Sequence, residues 1–515
     1  MSRDGPREPH RHLRRQREGL CRRGQQGRLP QRAGGLDTSD RPDGLTTGAR
    51  GRTAVELGGQ SIERAVVLGC GYSGQAIART LVRLGLQVGA TDSRATDDPT
   101  VQAGLRVMTE LGVEAHAGGH DSPLLANADL IVLSPGVGPK ELALRGPARR
   151  GVPIWGEIEL ASHLTQARLV GITGTKGKST TAALTALMLD APLTNSEAYT
   201  ARGIPLVELV IDNPQADPIV VEVTSYQLET IVDFRPWVSA LLNIAEDHVE
   251  RHPTRAEYAA AKARIFENQQ PGDRAVVNLD DPLVAALPTQ PGVTRLAYSL
   301  VSTPEYGVWA TADGVQARLP AELGGFDGLV ARWSAVHANL RAQKPAVLAA
   351  TAIALAAEAP LAQVRDTLAT FAGLRHRMEF VRELDDVTYV NDSKATNPLA
   401  TANAIAQSGG PVVLIAGGQS KGIDLSPLVE PFRDLRALVL IGESAPLLTV
   451  IGAQAGLDAI YRADSLAAAV EQARALAQPG DWVIMSPAGA SFDLFENFVA
   501  RGDSFCQLVQ NLDSA

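Results

Sequence analysis

The densest chemistry in the chain lies between Gly171 and Thr181, which reads Gly-Ile-Thr-Gly-Thr-Lys-Gly-Lys-Ser-Thr-Thr. An apolar run over 167–172 precedes it and predicts a strand. An Ala- and Leu-rich run over 181–189 follows and predicts a helix. A glycine-rich turn between strand and helix aims backbone N–H groups and a helix N-terminus at one spot, which suits a polyphosphate. Lys178 would reach the β- and γ-phosphates, and the Ser179 hydroxyl would take Mg²⁺. The match to GxxxxGK[ST] is imperfect, because Ile172 stands where the first glycine belongs. A chance GKS in a Gly- and Thr-rich turn is the competing reading. The flanking strand and helix favour an ATP site.

Further polar groups follow apolar runs. Runs over 219–223 and 237–244 read as buried parallel strands. The first leads into Glu222-Val223-Thr224-Ser225-Tyr226-Gln227 and the second ends in Asn243-Ile244-Ala245-Glu246-Asp247-His248. Ligands of open α/β sheets sit at the C-terminal ends of strands, so Glu222 and His248 are candidates for a metal beside the phosphate loop. A helix over 255–268 carries Lys262. Earlier in the chain, the run Arg64-Ala65-Val66-Val67-Leu68 leads into Gly69-Cys70-Gly71-Tyr72-Ser73-Gly74, a helix over 75–84 and a strand ending near Asp92. This is GxGxxG with an acid some twenty residues on. By itself it signals a nucleotide, with a nicotinamide dinucleotide as one option and Asp92 on its ribose.

The supporting elements divide the chain. Its 515 residues are too many for one ordinary domain, and 45% apolar content can fill several cores. Met1 to Arg52 holds thirteen Arg and no Lys, without helix or strand periodicity, so residues 1–60 are expected to be a disordered extension. Residues 61–156 form one α/β unit and 157–373 a second around the phosphate loop, with 300–340 irregular. Helices are expected over 345–358 and 361–371, and Gly373 to Arg377 reads as a connection. Residues 374–515 alternate strands (387–390, 412–416, 437–441, 457–461, 482–486) with helices, a third α/β unit.

The balance of charge, −9, argues against a nucleic-acid surface. Cys21, Cys70 and Cys506 are too few and too scattered for a disulfide framework, so a reducing cytoplasm is expected. No apolar run is long enough for a membrane span. Only seven of the 48 basic residues are Lys, and four of these (Lys178, Lys262, Lys394, Lys421) fall inside candidate motifs. A chain that elsewhere chooses Arg uses Lys where an amine is required.

The motifs together resemble the Mur ligase family, from about Val66 to the C-terminus. Thr173 to Thr180 resembles the family's phosphate loop. Asn391-Asp392-Ser393-Lys394-Ala395-Thr396-Asn397, the Gly417 to Gly422 stretch and Ser486 to Phe505 resemble its D-glutamate-adding branch. The resemblance implies three α/β domains: an N-terminal Rossmann-like domain, a central P-loop ATPase-like mononucleotide-binding domain and a C-terminal Rossmann-like domain. It implies a monomer that uses ATP and Mg²⁺ to join D-glutamate to UDP-N-acetylmuramoyl-L-alanine, with no nucleic-acid or membrane partner. Lys178, His248, Lys262 and Arg377 would be catalytic. Gly174, Thr175, Lys176, Gly177, Lys178, Ser179, Thr180 and Asp392 would bind ATP. Ser179, Glu222, His248 and Lys262, the last as a carbamate, would serve the metal. Gly71, Tyr72, Ser73, Asp92 and Arg94 would hold the UDP end of the substrate. Lys394, Thr396, Lys421, Ser491 and Phe498 would form the D-glutamate pocket. The chain departs from the family at Thr200 to Pro205, which lacks an expected Asn, and at His337 to Gln343, where the adenine contact is unassigned. Another amino-acid ligase of this family and a nicotinamide-dependent oxidoreductase are the alternatives.

Overall fold

The chain enters its first domain through a hairpin of β1 (Val55–Leu57) and β2 (Gln60–Ile62). Gly58 and Gly59 both have positive φ, +55° and +72°, which a two-residue hairpin turn requires. Val55, Leu57 and Ile62 are buried, and a Cβ on Gly58 would stand 3.0 Å from the Trp155 ring. This corrects the expectation of a structureless segment to residue 60. Strands of three residues are too short to display an alternation. The computed structural model describes residues 54–120, 122–196, 203–245, 251–341, 343–420 and 422–513.

The first domain is a five-stranded parallel sheet of β3 (Arg64–Leu68), β4 (Gln87–Asp92), β5 (Glu114–Ala117), β6 (Leu130–Leu133) and β7 (Ile154–Gly156), in the order β5-β4-β3-β6-β7. That order reverses at β3, so the crevice outside the ends of β3 and β6 is where a nucleotide belongs. The second domain is a nine-stranded sheet. Its strands are β8 (Leu169–Thr173), β9 (Leu193–Thr194), β10 (Ile219–Glu222), β11 (Val238–Leu241), β12 (Arg274–Asn278), β13 (Thr294–Ser299), β14 (Gly307–Ala310), β15 (Gly314–Arg318) and β16 (Asp327–Arg332). They run in the order β16-β15-β14-β13-β12-β11-β8-β10-β9. The stretch expected to be irregular thus supplies β14 to β16, a meander that extends the sheet. Its residues are mixed in burial and its register shifts at Val315/Gln316, so no clean two-residue period shows.

The third domain holds β17 (Glu379–Leu384), β18 (Val387–Asn391), β19 (Val412–Gly417), β20 (Leu435–Ile441), β21 (Ile460–Arg462) and β22 (Trp482–Ala488), ordered β17-β18-β22-β19-β20-β21. Only β17 is antiparallel to its neighbour.

The first two domains share one apolar core, in which Val67, Ile77 and Leu130 join Val221, Phe234 and Leu241. Polar contacts fasten the same seam. Arg79 pairs with Glu208, Arg83 with Asp212 at 2.6 Å, and Thr80 Oγ1 donates to Val207 O at 3.4 Å. The buried clusters of the third domain draw only on residues from Met378 onward. It is therefore a separately packed body, reached through Gly373 (φ +101°) and a turn in which His376 and Met378 also have positive φ. Such backbone costs of order 1–3 kcal/mol per residue and persists where its surroundings enforce it.

Two truncations test the hairpin. Burying Val55 and Leu57 is worth roughly 1.5–3 kcal/mol each. A chain lacking residues 1–58 is expected to melt at a lower temperature than one lacking residues 1–53. Equal midpoints by calorimetry would show that the hairpin adds nothing to the domain.

Candidate active site

The phosphate loop is shaped by backbone that only glycine takes easily. Gly174 has φ +159°, and a Cβ there would meet Leu242 Cβ at 2.9 Å. Gly177 is left-handed (φ +82°) and caps the helix Lys178–Leu189. The first N–H groups of a helix have no carbonyl of their own turn to bind, so they remain for an anion. Lys178 folds over the loop, its Nζ donating to Gly174 O at 2.8 Å and Thr175 O at 3.1 Å.

Asn243, directly beyond β11, braces this loop. Its Oδ1 accepts from Lys176 N at 2.8 Å and Thr175 N at 3.1 Å, and its Nδ2 donates to Lys176 O at 2.9 Å. In the sequence Asn243 is only a polar residue at a strand end. An Asn after an apolar strand is common, and nothing in its spacing shows that it faces the loop.

Beside the loop, Ser179 Oγ donates to Glu222 Oε1 at 3.2 Å. Glu222 is buried, and its Oε2 has no hydrogen-bond partner among the described residues. A buried carboxylate oxygen left unpaired next to a hydroxyl is a costly arrangement that a hard cation would satisfy, so these residues fit Mg²⁺. Lys262, only 1% exposed, reaches the same loop: its Nζ donates to Gly174 O at 2.9 Å and lies 4.7 Å over the Tyr258 ring. His248 lies outside the described residues.

In the first domain the glycine loop is held by Asp92. Its carboxylate accepts from Cys70 N at 2.8 Å, and from Arg94 N and Nε at 3.0 Å and a terminal guanidinium nitrogen at 2.9 Å. Burial pushes this carboxyl up, but the Arg94 and Cys70 hydrogen bonds outweigh it and hold it at about 2. Asp92 is thus fully engaged by protein groups, while Arg94 keeps much of its surface in solvent. Gly74 is where the loop is tightest: a Cβ would fall 1.8 Å from Gly69 O. Tyr72 and Ser73 open the helix Tyr72–Arg83 beside it, Tyr72 exposed.

The third domain gathers its candidates at the ends of β18 and β22. Asp392 accepts from Ser486 Oγ at 2.8 Å and Met378 N at 3.2 Å. Burial pushes its carboxyl up to about 7, against those hydrogen bonds and the nearby Arg377 charge. Lys394 Nζ sits 4.1 Å over the ring of Phe498, and Ser491 is buried at the end of the β22 loop. Lys421 lies outside the described residues. Arg501, a fixed position of the Ser486 to Phe505 motif to which the sequence assigns no role, is 1% exposed. Its guanidinium donates to Ser393 Oγ and O, Gly489 O and Ala490 O at 2.9 to 3.3 Å, which ties the Asp392–Lys394 turn to the Ser491 loop. Desolvation lowers its pKa to about 10. Between the domains, Lys176 Nζ donates to Asn403 Oδ1 at 3.2 Å, so the phosphate loop touches the helix Pro398–Ala406 of the third domain.

A phosphate loop with a cation-ready carboxylate, set between two Rossmann-like domains, defines a three-domain α/β protein of the nucleotide-binding class. Comparison with known proteins gives the particular family. Residues 63–156 match the N-terminal domain of MurD-like Mur ligases, 172–316 the Mur ligase middle domain and 376–489 the Mur ligase glutamate ligase domain. The chain is 39% identical over 451 residues to the UDP-N-acetylmuramoylalanine–D-glutamate ligase of Pelotomaculum thermopropionicum, covering 87% of this chain and 98% of that one. It is 39% identical over 464 residues to the enzyme of the same name from Myxococcus xanthus, covering 89% and 100%. The fold is also that of a pseudomurein peptide ligase type C from Methanothermus fervidus, with a TM-score of 0.51 and 17% identity over 88% of this chain and 100% of that one. MurF from Acinetobacter baumannii gives 0.50 and 17%, over 87% and 94%. The chain belongs to the Mur ligase family.

Two substitutions test the geometry. Asn243→Ala leaves Lys176 N–H without its acceptor, while Thr175 N keeps the Asn243 backbone carbonyl at 3.0 Å, and is expected to raise the KM for ATP severalfold; an unchanged KM would mean the loop holds its own shape. Asp392 has a folded pKa raised above its unfolded value, so its contribution to stability is full below about pH 4 and lost as pH rises through about 7. Asp392→Asn is therefore expected to lessen the fall in melting temperature between pH 4 and 7 relative to the parent chain, read by calorimetry at matched pH.

Proposed function

We propose that this chain is the ATP-dependent ligase that joins D-glutamate to UDP-N-acetylmuramoyl-L-alanine in peptidoglycan precursor synthesis. The observation that carries the reading is the pairing of Ser179 with the half-satisfied Glu222 under a braced phosphate loop, in a chain that aligns with 98–100% of D-glutamate ligases at 39% identity. The muramoyl-alanine carboxylate attacks the γ-phosphorus of ATP and ADP leaves, giving an acyl phosphate. The amine of D-glutamate then attacks the acyl carbon; phosphate departs and the nitrogen loses a proton. Both steps depend on positioning and charge neutralisation.

In this reading Lys178 exchanges its loop carbonyls for the β- and γ-phosphates, with Gly174 to Thr180 around them and Arg377 approaching from the third domain. Ser179, Glu222, His248 and Lys262 would hold Mg²⁺, which neutralises phosphate charge. Asp392 meets the nucleotide ribose. Gly71, Tyr72, Ser73 and Arg94 take the UDP end, with Asp92 holding Arg94. Lys394, Thr396, Lys421, Ser491 and Phe498 receive D-glutamate. The separate packing of the third domain supports its closing on the other two to exclude water from the acyl phosphate. A cytoplasmic monomer suits such an enzyme. Among the described residues no helix is long and apolar enough to cross a membrane.

Lys262 needs a chemical answer, since an ammonium beside a metal is electrostatically wrong. Its neutral amine can add CO₂ and release a proton, becoming an anionic carbamate oxygen ligand. Phosphate release with UDP-N-acetylmuramoyl-L-alanine, ATP and Mg²⁺ should require D- and not L-glutamate; turnover with another amino acid instead would move the chain to a sister activity. Lys262→Ala is expected to lose activity and regain part of it with added short carboxylates. A Lys262→Arg chain of full activity would eliminate the carbamate.

A further inference from the structure

If the reading above holds, one substrate must span two sheets. Its nucleotide lies at the ends of β3 and β6, and its reacting carboxylate at Ser179 and Glu222. The ground between is a closed seam with no room for a water molecule, lined by Ser134, Gly156, Glu157, Tyr226, Gln227 and Thr230, along whose mouth the substrate must pass. Glu157 is the first residue after β7, at the strand end nearest the second domain, and is 1% exposed. Three elements converge on its carboxylate. Oε1 accepts from Val207 N at 2.8 Å, at the start of the helix Leu206–Asp212. Oε2 accepts from Asn195 Nδ2 at 3.4 Å and Gln227 Nε2 at 3.5 Å.

Gln227 lines the seam itself, and Asn195 reaches the same carboxylate from the end of β9. β9 pairs with β10 so that Thr194 lies opposite Val221, which sets Asn195 beside Glu222. Gln227 lies five residues after Glu222. Its Oε1 is already taken by Thr224 N and Oγ1, both at 3.0 Å, so the amide plane is fixed and only its N–H₂ is left to point elsewhere. Each amide nitrogen has two hydrogens; Glu157 takes one and sets where the other goes.

We propose that Glu157 is a positioning residue for the sugar and lactyl arm of the UDP-linked substrate, acting through the amides of Asn195 and Gln227. It makes no contact with ATP or D-glutamate in this scheme, so its effect falls on one substrate of three.

Burial places this carboxyl at about 7 despite its hydrogen bonds. The charged groups on neighbouring elements are engaged elsewhere. Glu208 and Asp212 pair with Arg79 and Arg83, Glu229 pairs with Arg251 and faces His252 at 3.7 Å, and Glu159 is bonded to His163. Among the described residues Glu157 has no cationic partner. With Oε1 occupied by Val207 N–H, a proton added on acidification goes to Oε2, which then faces two amide donors with a hydrogen of its own. The arm should therefore be held less well below neutrality.

The test compares the affinities of UDP-N-acetylmuramoyl-L-alanine and of UDP alone by calorimetry, for the full chain and for Glu157→Gln and Glu157→Asp, at pH 6 and 8. The parent chain should bind the full substrate more tightly than UDP, and the margin should shrink at pH 6. Glu157→Gln should cut the margin roughly tenfold at both pH values while the KM for ATP and for D-glutamate stay unchanged. Glu157→Asp, which keeps the carboxylate, should keep the pH dependence. If the parent chain binds both ligands equally, the functional reading fails and this inference with it. If the parent chain shows the margin and Glu157→Gln keeps both margin and pH dependence, or loses affinity for UDP and ATP equally, the positioning role is overturned and the function stands.

Discussion

A phosphate loop works only if its backbone is held open while no side chain fills it. Glycine supplies the opening, but a glycine loop without support would collapse onto its own N–H groups. Here two lysines hold the Gly174 carbonyl, and one residue beyond β11 braces the rest of the turn. Asn243 accepts from two consecutive loop N–H groups and donates to the carbonyl beside them. Because Asn243 follows β11, the loop's shape depends on β11 lying next to β8, and so on the order of the whole central sheet. Glu222 on the other side of β8 depends on that order equally. The site is a property of three adjacent parallel strands.

The first two domains and the third meet the site under different constraints. The first two share an apolar core and a seam of ion pairs, so the distance from glycine loop to phosphate loop is fixed by packing. The third packs on itself and is joined by strained backbone at His376 and Met378. The ends of β18 and β22 are tied together by Arg501, which is buried with a carbonyl or hydroxyl for each side of its guanidinium. Removing that side chain would leave a set of buried acceptors without donors, which is the costly case for hydrogen bonds. A separately packed third domain suits the proposed reaction, in which an amine must reach an acyl phosphate after the phosphate has been transferred.

Part of this could be read from residues alone. The apolar runs ending in Gly, Ser, Glu and Asn gave the three α/β units, because a parallel strand buried on both faces shows up as an unbroken apolar stretch. The loop Gly174 to Ser179 and the acid at Glu222 were visible as residue types with a known chemistry. The hairpin at 55–62 and the meander at 307–332 were not visible, since strands of three to six residues with mixed burial show no period.

By itself, then, the sequence determined the number and class of the domains, the phosphate loop and the motifs that mark the family, because each is a local pattern of residue type and spacing. Only the tertiary structure decided that Asn243 braces the loop, that Asp92 is spent on Arg94 and Cys70, that Arg501 ties the Ser393 turn to the Gly489 loop and that Glu157 joins Asn195 to Gln227. Asn195 and Glu157 are 38 residues apart in the chain, and Gln227 and Glu157 are 70 apart. Contacts across such separations are set by sheet order and domain docking, which no short window of sequence contains.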